Sequence, residues 1–122
     1  MKVLVIDDEE DIRRIAHLAL ARVGKMEVVD AGSGPEGVRK AQEERPDAIL
    51  LDVMMPGLDG PSTLAALRAN PATAAIPVVF LTAKAMTAEL ERLRGLCPAG
   101  VLTKPFDPMT LASDLRAVLG RP

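Results

Sequence analysis

The chain has no tryptophan, no tyrosine and only two phenylalanines among its 122 residues. A domain of this size hides roughly two-thirds of the surface its unfolded form exposes, so its core must be built from Leu, Val, Ile, Ala and Met. A hydrophobic content of 48% supplies enough of them. A single cysteine, Cys97, excludes an internal disulfide. No apolar run approaches the ~18 residues that a membrane span needs, so no membrane insertion is expected. Asp7 and Asp8 arrive too early to leave room for a signal-peptide apolar region. Neither sign of charge dominates, with 15 basic and 17 acidic residues mixed along the chain. Without a basic stripe to neutralise phosphates, direct nucleic-acid binding is not expected. These absences describe a soluble cytoplasmic protein. Linkers, repeats and low-complexity tracts are missing too, so residues 1–122 read as one domain.

What is present is a strict alternation. Short apolar runs at Lys2–Asp7, Met26–Ala31, Asp47–Asp52, Ile76–Thr82 and Gly100–Thr103 are separated by stretches of helical period. The first, third and fourth runs are almost continuously apolar, as strands of a parallel sheet covered on both faces should be. Ile12, Ile15, Ala16, Ala19 and Val23 mark one face of a first helix that stops at Gly24. A second helix is predicted from Ser33 to about Glu44, a third from Pro61 to about Ala69 and a fourth from about Met86 to Leu93. In the last, Asp107 is predicted as N-cap and Pro108 as the first helical residue, with Leu111, Leu115, Val118 and Leu119 buried and Gly120 as the stop. Five βα units at this length predict an α/β fold with an open, doubly wound, five-stranded parallel sheet. Ligands of such sheets sit beyond the carboxyl ends of the strands.

That edge is where the chemistry-bearing residues fall. Asp7 and Asp8 end the first strand, Asp52 the third and Thr82 the fourth, and Lys104 follows the fifth. Carboxylates brought together there repel by about 4 kcal/mol per pair at ~4 Å and an effective dielectric near 20. A hard divalent cation relieves this, and carboxylate and carbonyl donors with room for waters and a phosphate favour Mg²⁺. With the ion and the Lys104 ammonium balancing three carboxylates, Asp52 can attack phosphorus without net repulsion from an anionic donor. Pro105 disfavours the helical region at Lys104 and holds its backbone extended. Thr82 offers a hydroxyl to a phosphoryl oxygen.

VLVIDDEEDIRR, AILLDVMMPGLDG, VVFLTA and VLTKPF together, in this order and spacing, resemble the receiver domain of bacterial two-component response regulators along the whole chain. The resemblance implies a flavodoxin-like strand order 2-1-3-4-5. It implies that Asp52 is phosphorylated by the phosphohistidine of a sensor kinase, or by a phosphotransfer protein. Asp8, Asp52 and the Met54 backbone carbonyl would ligate Mg²⁺, and Asp7 would hold a metal-bound water. Thr82 and Lys104 would contact the phosphoryl group. A downstream protein would read the surface of the fourth helix, fifth strand and fifth helix, with the chain a monomer or a phosphorylation-dependent dimer. The implied protein is a switch that assists its own phosphorylation and dephosphorylation, not an enzyme with an external substrate.

The sequence departs from the family at three places. Val101 stands where an aromatic or histidine ring commonly swings inward, which removes a ring-flip readout. Met54 has no polar side chain to orient attacking water, and Lys84 is placed to shield a phosphoryl group, so slow self-dephosphorylation is expected. Two other readings can be weighed. A phosphatase of the haloacid dehalogenase type would carry D-x-D, but Asp7 and Asp8 are adjacent. A phosphorylation-independent interaction module would not need the full acid set. Gly32–Gly37 fits the dinucleotide pattern G-x-G-x-x-G, yet Ser33 and Glu36 have capping-box spacing and the segment follows the second strand, not the first. His17 is expected on the surface of the first helix, Cys97 as a small buried or turn residue, and the methionines as core fillers.

Overall fold

A computed structural model describes residues 1–83 and 86–120. Lys84 lies outside the described residues. Five strands, β1 (Lys2–Ile6), β2 (Glu27–Ala31), β3 (Ala48–Asp52), β4 (Val78–Thr82) and β5 (Gly100–Thr103), alternate with helices α1 (Glu10–Leu18), α2 (Gly34–Glu44), α3 (Gly60–Ala69), α4 (Thr87–Arg94) and α5 (Leu111–Val118). All strand pairs are parallel and the order is β2-β1-β3-β4-β5, the fold and order expected.

The period-2 geometry of the strands divides the core. Leu4, Ile6, Ile49, Leu51 and Phe80 face Ala41 of α2, Leu64 and Leu67 of α3 and Leu93 of α4. Val3, Val5, Leu50, Val79 and Leu81 face Ala16 of α1 and Leu111, Ala112 and Leu115 of α5. Every residue of β3 and β4 is buried, which is why those runs carry no polar alternation.

Several element ends differ from the sequence expectation. Asp47 lies outside β3 and accepts a hydrogen bond from the Lys2 amide at 2.7 Å. Ile76 and Pro77 precede β4, with Ile76 closing a turn onto the Thr73 carbonyl. Asp107 does not cap α5. Its carboxylate accepts from the Met109 amide at 2.8 Å and its carbonyl from the Thr110 and Leu111 amides, so it organises a separate turn that delivers the chain into the helix at Leu111. Past Leu18 the first helix continues as a π-helical segment, Ala19–Val23, before Gly24. Ala16, Ala19 and Leu20 are buried, while Ile15 and Val23, expected inside, are 42% and 44% exposed; for Val23 the wider winding turns the residue away from the face that Ala16 and Ala19 share.

The capping box at Ser33 forms. The Ser33 hydroxyl accepts from the Glu36 amide at 3.3 Å, and Glu36 reaches back to the Gly32 amide at 3.2 Å. A side chain on Gly37 would strike Ile6 at 2.4 Å, so that glycine lets α2 lie on β1 and is no dinucleotide fingerprint. His17 is half-buried and shares its imidazole with both carboxylate oxygens of Asp30 at 2.9 Å, tying α1 to β2. Cys97 sits exposed in a turn at φ 57°. Three methionines are no core fillers: Met54, Met86 and Met109 are 58%, 73% and 68% exposed, on loop and helix-entry segments outside either core layer.

Candidate functional site

In the parallel register, Asp52 lies beside Leu81 and Thr82 beside Thr103, so the chain leaves the sheet at one edge with Asp7, Asp52, Thr82 and Lys104 in adjacent positions. The local chain path keeps this edge open. After Asp52 the chain turns through Gly57, at φ +75°, and re-enters a helix at Gly60. A side chain at Gly60 would meet the Asp52 carbonyl oxygen and the Val53 Cα, both at 2.7 Å. Gly60 thus allows the start of α3 to pass against the backbone of the site, its own amide donating to the Val53 carbonyl at 2.9 Å.

Asp7, Asp52 and Thr82 are buried, and Asp8 is exposed. Lys104 joins the two buried acids, its ammonium lying 2.9 Å from Asp7 Oδ2 and 3.2 Å from Asp52 Oδ1. Its amide donates to the Thr82 carbonyl at 2.7 Å, and the Lys104–Pro105 peptide is cis. Met54, two residues beyond Asp52, turns its backbone N–H toward the Asp52 carboxylate.

One cation does not satisfy two buried carboxylates. Burial raises the Asp52 pKa to about 6, the Asp7 charge adds to the rise, and Lys104 only partly opposes it. For Lys104, desolvation works against the charged form, but the hydrogen bonds and charges of Asp7 and Asp52 outweigh it and its pKa is raised. Asp52 Oδ2 is buried with no hydrogen-bond partner among the described residues, whereas Asp7 Oδ2 lies 2.9 Å from the Lys104 ammonium. An orphaned acceptor like Asp52 Oδ2 demands a partner. Asp7, Asp8 and Asp52 each offer a carboxylate oxygen, all within 4.8 Å of one another, a donor set that fits a hard divalent cation.

Asp7, Asp8, Asp52 and Lys104 meet at this edge, and Thr82 ends the neighbouring strand β4; the Met54 side chain is exposed, Lys84 is outside the described residues, and Val101 packs half-buried against the core layer of Phe80. Two contributors were not singled out. Glu9 places Oε1 3.6 Å from the Lys104 ammonium, and Arg13 Nη1 donates to the Asp7 carbonyl at 2.8 Å. Helical side chains lean toward the helix N-terminus, so a long basic residue one turn into α1 was the available signal for Arg13.

The response regulator receiver domain model matches residues 3–116. PhoP of Bacillus subtilis, the alkaline phosphatase synthesis transcriptional regulatory protein, is 38% identical over 98% of this chain and 49% of its own length. The chain thus spans about half the length of this relative and of others like it. PilG of Pseudomonas aeruginosa is 36% identical, over 96% of this chain and 86% of its own. The structure of the chemotaxis response regulator CheY4 of Vibrio cholerae superposes with a TM-score of 0.87 at 35% identity, covering 97% of this chain and 98% of that one. A strand-end acid cluster braced by a lysine, on a sheet of this order and with a family match over nearly every residue, leaves one conclusion: the chain belongs to the receiver domain family of two-component response regulators, which are phosphorylation-dependent signalling switches and not classical enzymes.

Proposed function

We propose that residues 1–122 form one cytoplasmic receiver domain, whose Asp52 takes a phosphoryl group from a phosphohistidine on a sensor kinase or phosphotransfer protein. The observation that carries this reading is the buried Asp52 carboxylate, with one oxygen on Lys104 and the other without a partner among the described residues. In the transfer, an Asp52 oxygen bonds to phosphorus as the donor's N–P bond breaks, and the donor nitrogen keeps the electron pair. Asp52 titrates near 6, so most molecules present an ionised nucleophile at neutral pH.

Receiver domains generally depend on Mg²⁺, and Asp8, Asp52 and the Met54 backbone carbonyl are the groups that would ligate it, with Asp7 holding a bound water. When present, the ion neutralises carboxylates and transferring phosphoryl oxygens. Lys104 pairs with a phosphoryl oxygen, and the Thr82 hydroxyl donates to another. Response regulators act between histidine kinases and downstream targets. Here the output is a protein that reads the surface of α4, β5 and α5, with the receiver a monomer or a phosphorylation-dependent dimer. Val101 carries no ring, so the change reaches that surface through backbone movement at Thr82 and Lys104 and the repacking of Val101, Leu102 and Phe106.

Acetyl phosphate with Mg²⁺ tests the reading. The intact mass should rise by one phosphoryl group in the natural chain and stay unchanged in Asp52→Asn or with the metal chelated. Labelling of Asp52→Asn to the same extent, or labelling without Mg²⁺, sinks it.

A further inference from the structure

The two acids at the end of β1 are consecutive, yet one is buried and the other exposed. Both carboxylates still come within 4.8 Å of each other and of Asp52. What fixes their mutual angle is the single peptide plane between Asp7 and Asp8. Rotation of that plane, about the Asp7 Cα–C and Asp8 N–Cα bonds, swings the Asp8 carboxylate relative to its neighbour. The peptide before it is held by the sheet, the Asp7 amide donating to the Ala31 carbonyl at 3.1 Å. The Asp7 carboxylate is held from the other side, Oδ1 accepting from the Glu9 amide at 2.9 Å. The connecting plane has a different anchor: its carbonyl, that of Asp7, accepts from Arg13 Nη1 at 2.8 Å, in a part-buried contact.

The guanidinium is itself confined. Its helix begins at Glu10, and the Arg13 amide donates to the Glu9 carbonyl at 2.9 Å, so the stem is fixed at the first turn. On its outer side lies the backbone of Gly32, where a Cβ would stand only 3.3 Å from Nη1 and 3.7 Å from Cζ. Two chain segments, the start of α1 and the loop after β2, thus hold one fork against one carbonyl. A planar guanidinium keeps its direction in such a slot, whereas an ammonium on a flexible stem does not.

We infer that Arg13 is a positioning residue for the divalent-cation site: it locks the Asp7–Asp8 peptide plane and so preorganises the Asp8 carboxylate toward Asp7 and Asp52. The inference rests on the reading of Asp7, Asp8 and Asp52 as that site. Arg13 touches neither ion nor phosphoryl group in this role. Its contribution is to the affinity of the metal-free protein for the cation, and it is made up when the cation is in excess.

The test compares the natural chain with Arg13→Met, which keeps the stem and removes the donor, and with Arg13→Lys. Mg²⁺ alone is titrated by ¹⁵N NMR, and the Asp8 and Glu9 amide resonances are followed first without metal. Expected for Arg13→Met are shifted or broadened Asp8 and Glu9 resonances before metal is added and a Mg²⁺ dissociation constant raised about tenfold, the low end for groups that orient ligands from behind. Labelling by acetyl phosphate at saturating Mg²⁺ should return to within about twofold of the natural chain, and Arg13→Lys should fall between the two. An unchanged dissociation constant in Arg13→Met overturns the inference. If that variant does not fold by circular dichroism, Gly32→Ala, which crowds the guanidinium, decides instead: a weaker Mg²⁺ response supports the inference and an unchanged one overturns it. A natural chain without any Mg²⁺ response would overturn the cation site itself, whereas normal binding in the natural chain and in the variants removes only the role of Arg13.

Discussion

Replacing Asp52 with asparagine should make the metal-free protein more stable at alkaline pH, because a buried, ionised carboxylate at this position works against the fold. A carboxyl that titrates near 3.8 in the unfolded chain and near 6 in the folded one binds its proton more tightly when folded. The stability contributed by that proton is fully present below pH 3.8 and is lost as the pH rises through 6. The resulting cost, relative to a site that cannot ionise, grows from roughly half a kcal/mol at pH 4 to about 3 kcal/mol at pH 8. Asp52→Asn removes the ionisation and leaves Lys104 paired with Asp7 at 2.9 Å. Any fixed effect of the amide is the same at every pH, so the diagnostic quantity is the change in the difference between the two proteins. Urea unfolding at pH 4, 6 and 8 with a chelator present measures it. The advantage of Asp52→Asn should increase by about 2 kcal/mol across that range, which is a midpoint shift on the order of 1 M urea. Added Mg²⁺ should then stabilise the natural chain more than the variant at pH 8. Parallel stability curves for the two proteins between pH 4 and pH 8 would refute the reasoning, since they would mean that Asp52 ionises as easily inside the fold as outside it.

Lys104→Met takes away the cation that joins two buried acids. Lys104 has a raised pKa in the fold, so its stabilising charge is present at neutral pH and lost only at strongly alkaline pH. Its loss should cost about 3 kcal/mol at pH 8 and visibly less at pH 5, where Asp52 takes up a proton. Equal losses at the two pH values would show that Lys104 acts through packing alone. Gly60→Ala places a methyl group 2.7 Å from the Asp52 carbonyl oxygen and the Val53 Cα. It should destabilise the fold by roughly 2 kcal/mol, as overpacking against backbone does, and slow labelling of Asp52 by acetyl phosphate. A Gly60→Ala protein with unaltered melting and labelling would count against the close approach of α3 to the site.

The Arg13 and Asp52 experiments probe opposite sides of one compromise. The pocket gathers acids that repel each other, as the proposed binding of a cation and a phosphoryl group requires, and Lys104, the start of α1 and the aliphatic core around β3 hold those acids in place. A functional site of this kind is where local rules for a stable fold are broken.

The continuous apolar runs at β1, β3 and β4 determined a parallel sheet covered on both faces, since only strands buried twice lack polar alternation. With that settled, chain position alone brought Asp7, Asp52, Thr82 and Lys104 to the same edge. Other features were decided by tertiary contacts. Val23 has the spacing of a buried face, but π-helical winding over Ala19–Val23 turns it partly to solvent, and such winding leaves no mark in a hydrophobic period of 3.6. Asp107-Pro108 has the form of a helix start, yet the chain uses it for a turn three residues early, because local capping chemistry serves turns and helices alike. Sequence spacing placed the acids on one edge, whereas the Arg13 fork on the Asp7 carbonyl, the orphaned Asp52 oxygen and the close pass of Gly60 depend on distances between segments far apart in the chain. Residue types and their order determine which elements form and which edge carries the chemistry. The angles at which those groups meet are set only once both faces of the sheet are packed.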